Sequence, residues 1–104
     1  MATAAARTVF PHITADPEVC HGRPCIAGTR IRVMDIVAAH EQGVSPEELQ
    51  DYFATRRLTL AEIYAALAYY NDHKDEVEAD FAEAERVAAE GRAAEADHER
   101  RSGR

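Results

Sequence analysis

The chain has 104 residues, which is enough for one domain of ordinary size and argues against a second independent hydrophobic core. Hydrophobic residues make up 46% of it and charged residues 30%, which is typical of a globular protein, and no apolar run approaches the length of a membrane span. A net charge of −7 excludes nucleic-acid binding by overall charge, and two cysteines are too few for a disulfide framework or a four-cysteine zinc site.

The N-terminal third of the chain predicts short strands and no long helix. Residues 1–8 are small and without periodicity, so we expect them to be disordered. They do not resemble a signal peptide, and we expect a cytoplasmic protein. Pro17 and Pro24 exclude a long helix, because proline lacks an N–H donor and restricts the residue before it. The short apolar stretches between Ile13 and Val33 predict one or two strands joined by tight turns.

Two short helices are predicted next. The first begins at Met34, carries an apolar face and stops before Gly43. The second begins at Ser45, which forms a capping box with Glu48, and is expected to end near Phe53. Because few residues separate these helices, they must turn sharply against each other.

A third, longer helix begins after Thr59, which is the N-cap of a second capping box. An apolar stripe then follows helical spacing, with one step missing at Lys74. The stripe consists of Leu60, Ile63, Leu67, Tyr70, Val77, Phe81, Ala84 and Ala88. A three-helix domain can cover only its first part, so we expect the chain beyond Asn71 to project from the core. Past Gly91 the stripe ends, and we expect fraying.

Charge is divided unequally along the chain. Residues 1–58 carry six arginines and seven acidic residues, a net charge of −1, whereas residues 59–104 carry six basic and twelve acidic residues, a net charge of −6. The first half could therefore approach a polyanion through a local arginine cluster, and the second half suits a basic protein partner.

The segment from Ile13 to about Tyr70 resembles a known family. Gly22 to Val33 reads G-x-P-x-I-x-G-T-R-I-x-V, a specific string, and residues 13–19, 43–49 and 58–70 extend the likeness. Together they are similar to the domain of unknown function 433 family. The resemblance implies a small homeodomain-like helical fold with an N-terminal hairpin. It also implies a VapB-type antitoxin that is encoded beside a PIN-like ribonuclease toxin.

We therefore predict a mainly α protein with a small N-terminal β-hairpin, a three-helix homeodomain-like (helix-turn-helix) bundle and a long C-terminal helix. Residues 9–71 would form the DNA-binding-like domain, and residues 72–104 an acidic, toxin-binding extension with a frayed tail. The predicted function is that of a type II antitoxin, which inhibits a PIN-like ribonuclease and represses its own operator as a homodimer. The alternative is a homo-oligomeric interaction module that does not bind DNA.

Arginines near the turns are the candidates for DNA contact. In Gly28-Thr29-Arg30 the glycine can adopt a positive φ and the threonine can bond local backbone, which fixes the direction of the arginine. Arg30 would then contact phosphate or, alternatively, pair with Asp16 or Asp35. The predicted DNA-binding residues are Arg30, Arg32, Arg56, Arg57 and Thr59. The start of the third helix lacks the usual base-reading side chains.

The extension carries the predicted partner-binding residues. They are Tyr70, Val77, Phe81, Ala84, Ala88, Arg92 and Arg100. The apolar members would lie in a groove of the toxin or in a coiled coil between identical chains. Arg92 or Arg100 would pair with the carboxylates that hold the toxin's metal ion.

No pattern predicts an enzyme, a metal site or a cofactor. The sequence has no nucleophile with a base at motif spacing, no phosphate loop and no H-E-x-x-H. Cys20 and Cys25, with His21 and His12 nearby, lack the spacing of structural zinc sites. We interpret the cysteines as small buried hydrophobic residues, since a disulfide is disfavoured in the cytosol.

Overall fold

The described chain begins with an antiparallel sheet of three short strands. The computed structural model describes the backbone of residues 7–102 and the side chains of residues 7–97. The strands are β1 (Arg7–Phe10), β2 (Ile13–Ala15) and β3 (Cys25–Ile26), in the order β1-β2-β3. A single-turn 3-10 helix at Cys20–Gly22 precedes β3. The sheet has three strands instead of the two of the expected hairpin, and β1 lies before Ile13, where the predicted strands begin.

The disorder expected for residues 1–8 is wrong at its last two positions. Arg7 and Thr8 lie in β1, where they pair with Ala15 and Thr14 of β2. The backbone hydrogen bonds of the hairpin order these residues although their side chains are exposed. The prediction for residues 1–6 lies outside the described residues.

Four helices follow the sheet: α1 (Val33–Glu41), α2 (Pro46–Leu49), α3 (Leu60–Asp72) and α4 (Lys74–Ser102). Both predicted capping boxes are confirmed. The Glu48 amide donates to Ser45 Oγ at 3.1 Å, and the Glu62 amide donates to Thr59 Oγ1 at 3.1 Å. Within the described residues, none of these helices is both long and apolar enough to cross a membrane.

The second helix is shorter than the sequence predicts. It is one turn long, and Asp51 and Tyr52 continue it only through 3-10-type bonds to the carbonyls of Glu48 and Leu49. Residues 50–59 then separate α2 from α3, instead of the short turn that joins the helices of a helix-turn-helix. This connecting segment is held by Leu58, whose amide donates to the Gln50 carbonyl at 2.9 Å.

The core lies between the sheet, α1 and α3. Its largest fully buried side chains are Ile13, Ile26, Val33, Ile36, Val37, Leu49, Leu58, Ile63 and Val77. Every strand except β1, every helix and the segment between α2 and α3 contribute to this set. The core therefore fixes the positions of the turns and loops that border it.

The predicted long third helix is broken at His73. This residue has φ −133° and ψ 44°, outside the helical region. Its amide donates to the Tyr69 carbonyl at 2.9 Å and ends α3, while its carbonyl accepts from the Val77 amide at 3.1 Å and begins α4. The break lies beside Lys74, where the apolar stripe has its missing step.

The break turns the first part of α4 back onto its own chain. Val77 is fully buried, and Phe81 and Ala84 are partly buried against the core. The expectation that the chain beyond Asn71 projects from the core is therefore wrong for residues 74–84. The physical reason is that the change of direction at His73 lets the stripe cover apolar surface of α1 and α3, which would otherwise meet water.

Beyond Ala84, the side chains of α4 no longer pack against the core. All side chains of residues 85–96 are exposed. The backbone stays helical through Gly91 to Ser102, so the fraying expected past Gly91 is wrong for the described residues. We call residues 85–102 the distal helix.

Candidate functional site

The conformation of the Gly28-Thr29-Arg30 turn is the one that its residue types predict. Gly28 has φ +78°, in the left-handed region that favours glycine. The Thr29 hydroxyl donates to the Ile26 carbonyl at 2.9 Å and accepts from the Ile31 amide at 3.0 Å. These bonds anchor the turn to β3 and leave the side chain of Arg30 exposed.

A cleft of about 620 Å³ lies beside this turn. Its lining residues are Thr14, Asp16, Val19, Cys25, Gly28, Thr29, Arg30, Thr55 and Arg56. The cleft brings together Arg30 from the turn and Arg56 from the segment before α3, two residues that are far apart in the sequence. We call it the arginine cleft.

Arg30 supplies the available positive charge of the arginine cleft. Among the side chains that the structure describes, no carboxylate forms an ion pair with it. The two carboxylates considered as its partners are engaged elsewhere: Asp16 accepts from the Glu18 amide at 2.9 Å, and Asp35 pairs with Arg32 at 2.8 Å. The guanidinium of Arg30 can therefore bind an anion without first losing an internal partner.

Arg56, on the other side of the cleft, is held by an acidic residue of α3. Its guanidinium donates to both carboxylate oxygens of Glu62, at 2.7 and 3.1 Å, and to the Arg57 carbonyl at 2.9 Å. These hydrogen bonds keep the pKa of Glu62 below its ordinary value. Arg56 is thus oriented, and its charge is partly neutralised.

The other predicted DNA-binding residues do not line the cleft. Arg32 makes a two-point contact with Asp35, and Arg57 pairs with Asp51 at 3.1 Å on the exposed surface. The hydroxyl of Thr59 is used to cap α3. Of the five predicted residues, the structure therefore brings only Arg30 and Arg56 together.

The predicted partner-binding residues divide between the core and the distal helix. Val77, Phe81 and Ala84 belong to the core region, and half-buried Tyr70 donates its hydroxyl to Glu78 at 2.7 Å. Ala88 and Arg92 are exposed on the distal helix. The side chain of Arg100 lies outside the described residues.

Val87 is an exposed apolar residue of the distal helix that does not belong to the apolar stripe. Its side chain is 53% exposed, although valine is usually buried. Val87 lies next to Ala88 in the sequence but about a quarter turn away from it on the helix, so the 3-4 spacing of the stripe does not include it. The charged residues around it form surface pairs along the helix: Arg86 with Glu90 at 2.7 Å, and Arg92 with Glu85 at 3.0 Å.

Within the described residues, no group of three or more histidine, cysteine, aspartate or glutamate side chains is placed to hold a metal ion. The arginine cleft and the distal helix are therefore the two candidate sites, one for an anion and one for a protein partner.

Comparison with known proteins identifies the family. Residues 13–70, more than half of the chain, match the family described as "Protein of unknown function (DUF433)". The chain belongs to the DUF433 family. A crystal structure of a DUF433 member from Anabaena variabilis is 32% identical, covers 68% of this chain and 68% of its own, and has a TM-score of 0.61. No curated protein matches the chain significantly.

The extent of the DUF433 match separates the two candidate sites. Arg30 and Arg56 both lie within residues 13–70, so the arginine cleft belongs to the DUF433 domain. The match ends in α3, and all of α4 lies beyond it.

Proposed function

We propose that this DUF433 protein is the antitoxin of a type II toxin–antitoxin pair in the cytoplasm. It inhibits a PIN-like ribonuclease through its distal helix and, as a homodimer, represses its own operator. The partner class follows from the resemblance to VapB-type antitoxins. The observation that carries the proposal is the distal helix, which leaves its own core after Ala84 with every side chain of residues 85–96 exposed.

A helix of this kind gains little stability from its own domain. Isolated helices are marginal in water, and most helical stability in proteins comes from packing. The surface ion pairs of Arg86 and Arg92 contribute little to the stability of the helix, because both partners of each pair are exposed and water screens their charges. A partner that covers Val87 and Ala88 would supply the missing burial.

The distal helix carries five acidic residues and four arginines, a net charge of −1, so it can pair with charges of both signs on a partner. Its described exposed acidic residues include Glu85, Glu90 and Glu95. These carboxylates would pair with individual basic side chains at the surface of an RNA-binding partner. Arg92 would exchange Glu85 for a carboxylate of the toxin's metal site, and this exchange costs little because exposed ion pairs are weak. Arg100 is the second candidate for that role.

The toxin-binding surface proposed here differs from the stripe that the sequence predicts. Val77, Phe81 and Ala84 already cover the core, so exposing them to a partner would cost the burial they provide. The contact residues are therefore those that follow Ala84, beginning with Val87.

The arginine cleft is our candidate for operator binding. Arg30 and Arg56 would contact phosphates, which position a protein on DNA and require only exposed guanidinium groups. The start of α3 is not proposed to read bases, because Glu62 is bound to Arg56 and the Thr59 hydroxyl caps the helix. A homodimer would present α2 and α3 twice and so double the number of phosphate contacts, with the ten residues 50–59 in place of the short turn of a standard helix-turn-helix.

The alternative function is a homo-oligomeric interaction module without DNA binding. The observation that favours it is the exposure of two aromatic side chains outside the cleft, Tyr52 at 52% and Tyr64 at 51%. Aromatic residues are enriched at protein interfaces. Only the antitoxin function predicts that the protein binds the DNA upstream of its own gene.

The test of toxin binding is a truncation after Ala84. We expect the shortened chain to keep its helical spectrum and cooperative unfolding, since it retains Val77 and Phe81, and to lose binding to the product of the neighbouring gene in co-purification. The full chain is the positive control. Undiminished binding by the folded, shortened chain would refute the assignment of the distal helix.

A further inference from the structure

The arginine cleft is larger than the contact with one phosphate group requires. Its volume of about 620 Å³ lies within the range of about 300 to 1,000 Å³ that is typical of small-molecule sites. Its walls come from β2, the segment that follows β2, β3, the Gly28-Thr29-Arg30 turn and the segment before α3. A phosphate bound to the arginines would therefore fill only part of this space.

Charges of opposite sign line different parts of the cleft. Arg30 and Arg56 supply positive charge, and Asp16 supplies a carboxylate. Among the side chains that the structure describes, Asp16 forms no ion pair with either arginine. Its Oδ1 accepts from the Glu18 amide at 2.9 Å, which holds the carboxylate in position. A ligand that matches this pattern carries an anionic group at one end and hydroxyl donors at the other.

Several polar groups of the cleft have no protein partner in the part of the chain that is described. Arg30 forms no ion pair there. Arg56 uses only its two Nη atoms on protein acceptors, so its Nε–H remains available. The hydroxyls of Thr14 and Thr55 form no hydrogen bond. A ligand can therefore accept hydrogen bonds in the cleft without breaking internal ones.

We propose that the arginine cleft binds a ribonucleoside 5′-monophosphate. Its phosphate accepts hydrogen bonds from Arg30 and from the Nε–H of Arg56, and its ribose hydroxyls donate to Asp16. A carboxylate that accepts from ribose hydroxyls recurs in nucleotide-binding sites. The base lies along Val19 and Gly28, where a Cβ added to the glycine would meet no atom within 4 Å. This proposal goes beyond operator binding and does not depend on the antitoxin function.

The charge and the sugar of the ligand distinguish it from DNA. A phosphate monoester carries between about −1.5 and −2 charges at pH 7, whereas each phosphodiester of DNA carries one. The free guanidinium of Arg30 therefore attracts the monoester more strongly. DNA also lacks the 2′-hydroxyl that would donate to Asp16.

The first experiment tests binding to the full-length chain by titration calorimetry. The probes are the four common ribonucleoside 5′-monophosphates and inorganic phosphate. We expect at least one nucleotide to saturate the protein with a Kd below about 1 mM, and inorganic phosphate to bind at least about tenfold more weakly. Absence of saturation with all four nucleotides, or equal affinity for inorganic phosphate, would overturn the proposal.

The second experiment tests the phosphate contact. Arg30→Ala should bind the preferred nucleotide at least about tenfold more weakly, since a charge-assisted hydrogen bond is lost. Its folding should be unaffected, because the side chain is exposed and forms no ion pair within the described residues. Arg7→Ala, at an exposed position outside the cleft, is the matched control and should bind normally. Wild-type affinity in Arg30→Ala would place the ligand elsewhere and overturn the proposal.

The third experiment tests the ribose contact with the 2′,3′-dideoxy form of the preferred nucleotide. The wild-type chain should bind the ribose form several times more tightly. Asp16→Asn should lose most of this preference and bind the dideoxy form at least as tightly as the wild type does, because a negative charge near the phosphate has been removed. Equal affinity of the wild type for both forms, or an unchanged preference in Asp16→Asn, would overturn the proposal.

DNA is the other source of the same phosphate chemistry, so a duplex of the upstream region is titrated separately. Nucleotide binding supports the present proposal whether or not the duplex binds. A chain that binds the duplex but none of the four nucleotides would overturn this proposal and leave operator binding standing.

Discussion

The hydroxyl of Tyr69 donates to both carboxylate oxygens of Glu76, at 2.9 and 2.8 Å, across the break between α3 and α4. Tyr69 is 4% exposed, and its ring stacks on His73 with a centroid distance of 4.1 Å. Phe10 of β1 meets the same ring edge-on at 5.7 Å. Burial and the Glu76 carboxylate raise the pKa of Tyr69, so the hydroxyl stays a proton donor. The direction of α4 is thus set by residues from three elements.

Replacing Val77 by alanine tests whether α4 completes the core. Val77 is fully buried, so the loss of two methyl groups and the cavity that remains should lower the free energy of unfolding by about 2 kcal/mol. The measurement is equilibrium denaturation in urea. The matched control is Val87→Ala, which should change stability by less than about 0.5 kcal/mol because Val87 is exposed. Equal effects of the two substitutions would mean that α4 is not docked in solution.

Replacing Val87 by aspartate tests the toxin-binding surface. We expect binding to the neighbouring toxin to weaken by at least about tenfold, since a buried apolar contact becomes a charge that must be desolvated. Stability should not change, because the side chain is exposed in the free protein. Ala79→Asp, also at an exposed position of α4, is the matched control and should bind normally. The measurement is titration calorimetry, and a wild-type affinity in Val87→Asp would exclude this surface.

Removing the arginines of the cleft tests DNA binding. For Arg30→Ala and Arg56→Ala we expect weaker binding to the protein's upstream DNA, and a slope of log K against log salt that is smaller by about one for each arginine removed. Arg7→Ala, at an exposed position of β1 outside the cleft, is the control. The measurement is a fluorescence anisotropy titration at several salt concentrations. If the wild-type chain, with toxin present, does not bind this DNA at low salt, the alternative of an interaction module without DNA binding is favoured.

The contact between Arg56 and Glu62 predicts a pH dependence of stability. The pKa of Glu62 is lowered in the folded chain, so its contribution to stability is present above the ordinary value of 4.5 and is lost as the pH falls below it. We expect Glu62→Gln to be less stable than the wild type at pH 7, with the difference shrinking on acidification below about pH 4.5. Thermal unfolding across this range is the measurement. Glu18→Gln, at an exposed position before the 3-10 turn, is the control. A difference that stays constant with pH would contradict the ion pair.

The sequence by itself determined the features that depend on neighbouring residues. The capping boxes at Ser45 and Thr59 and the positive φ of Gly28 follow from residue types within a few positions of each other. They form as predicted because their hydrogen bonds close over one turn of chain and need no distant partner. The family string from Gly22 to Val33 lies in the same part of the molecule.

Only the tertiary structure decided the course of α4 and the composition of the arginine cleft. The stripe through Val77 predicts an apolar helix face but does not specify which surface covers it. Burial in the chain's own core and burial in a partner's groove favour the same helical spacing of apolar residues. The cleft likewise depends on Arg30 and Arg56 meeting across the fold. Helical periodicity is a local property, whereas burial depends on which distant surfaces meet, and here the change of chain direction at His73 brings them together.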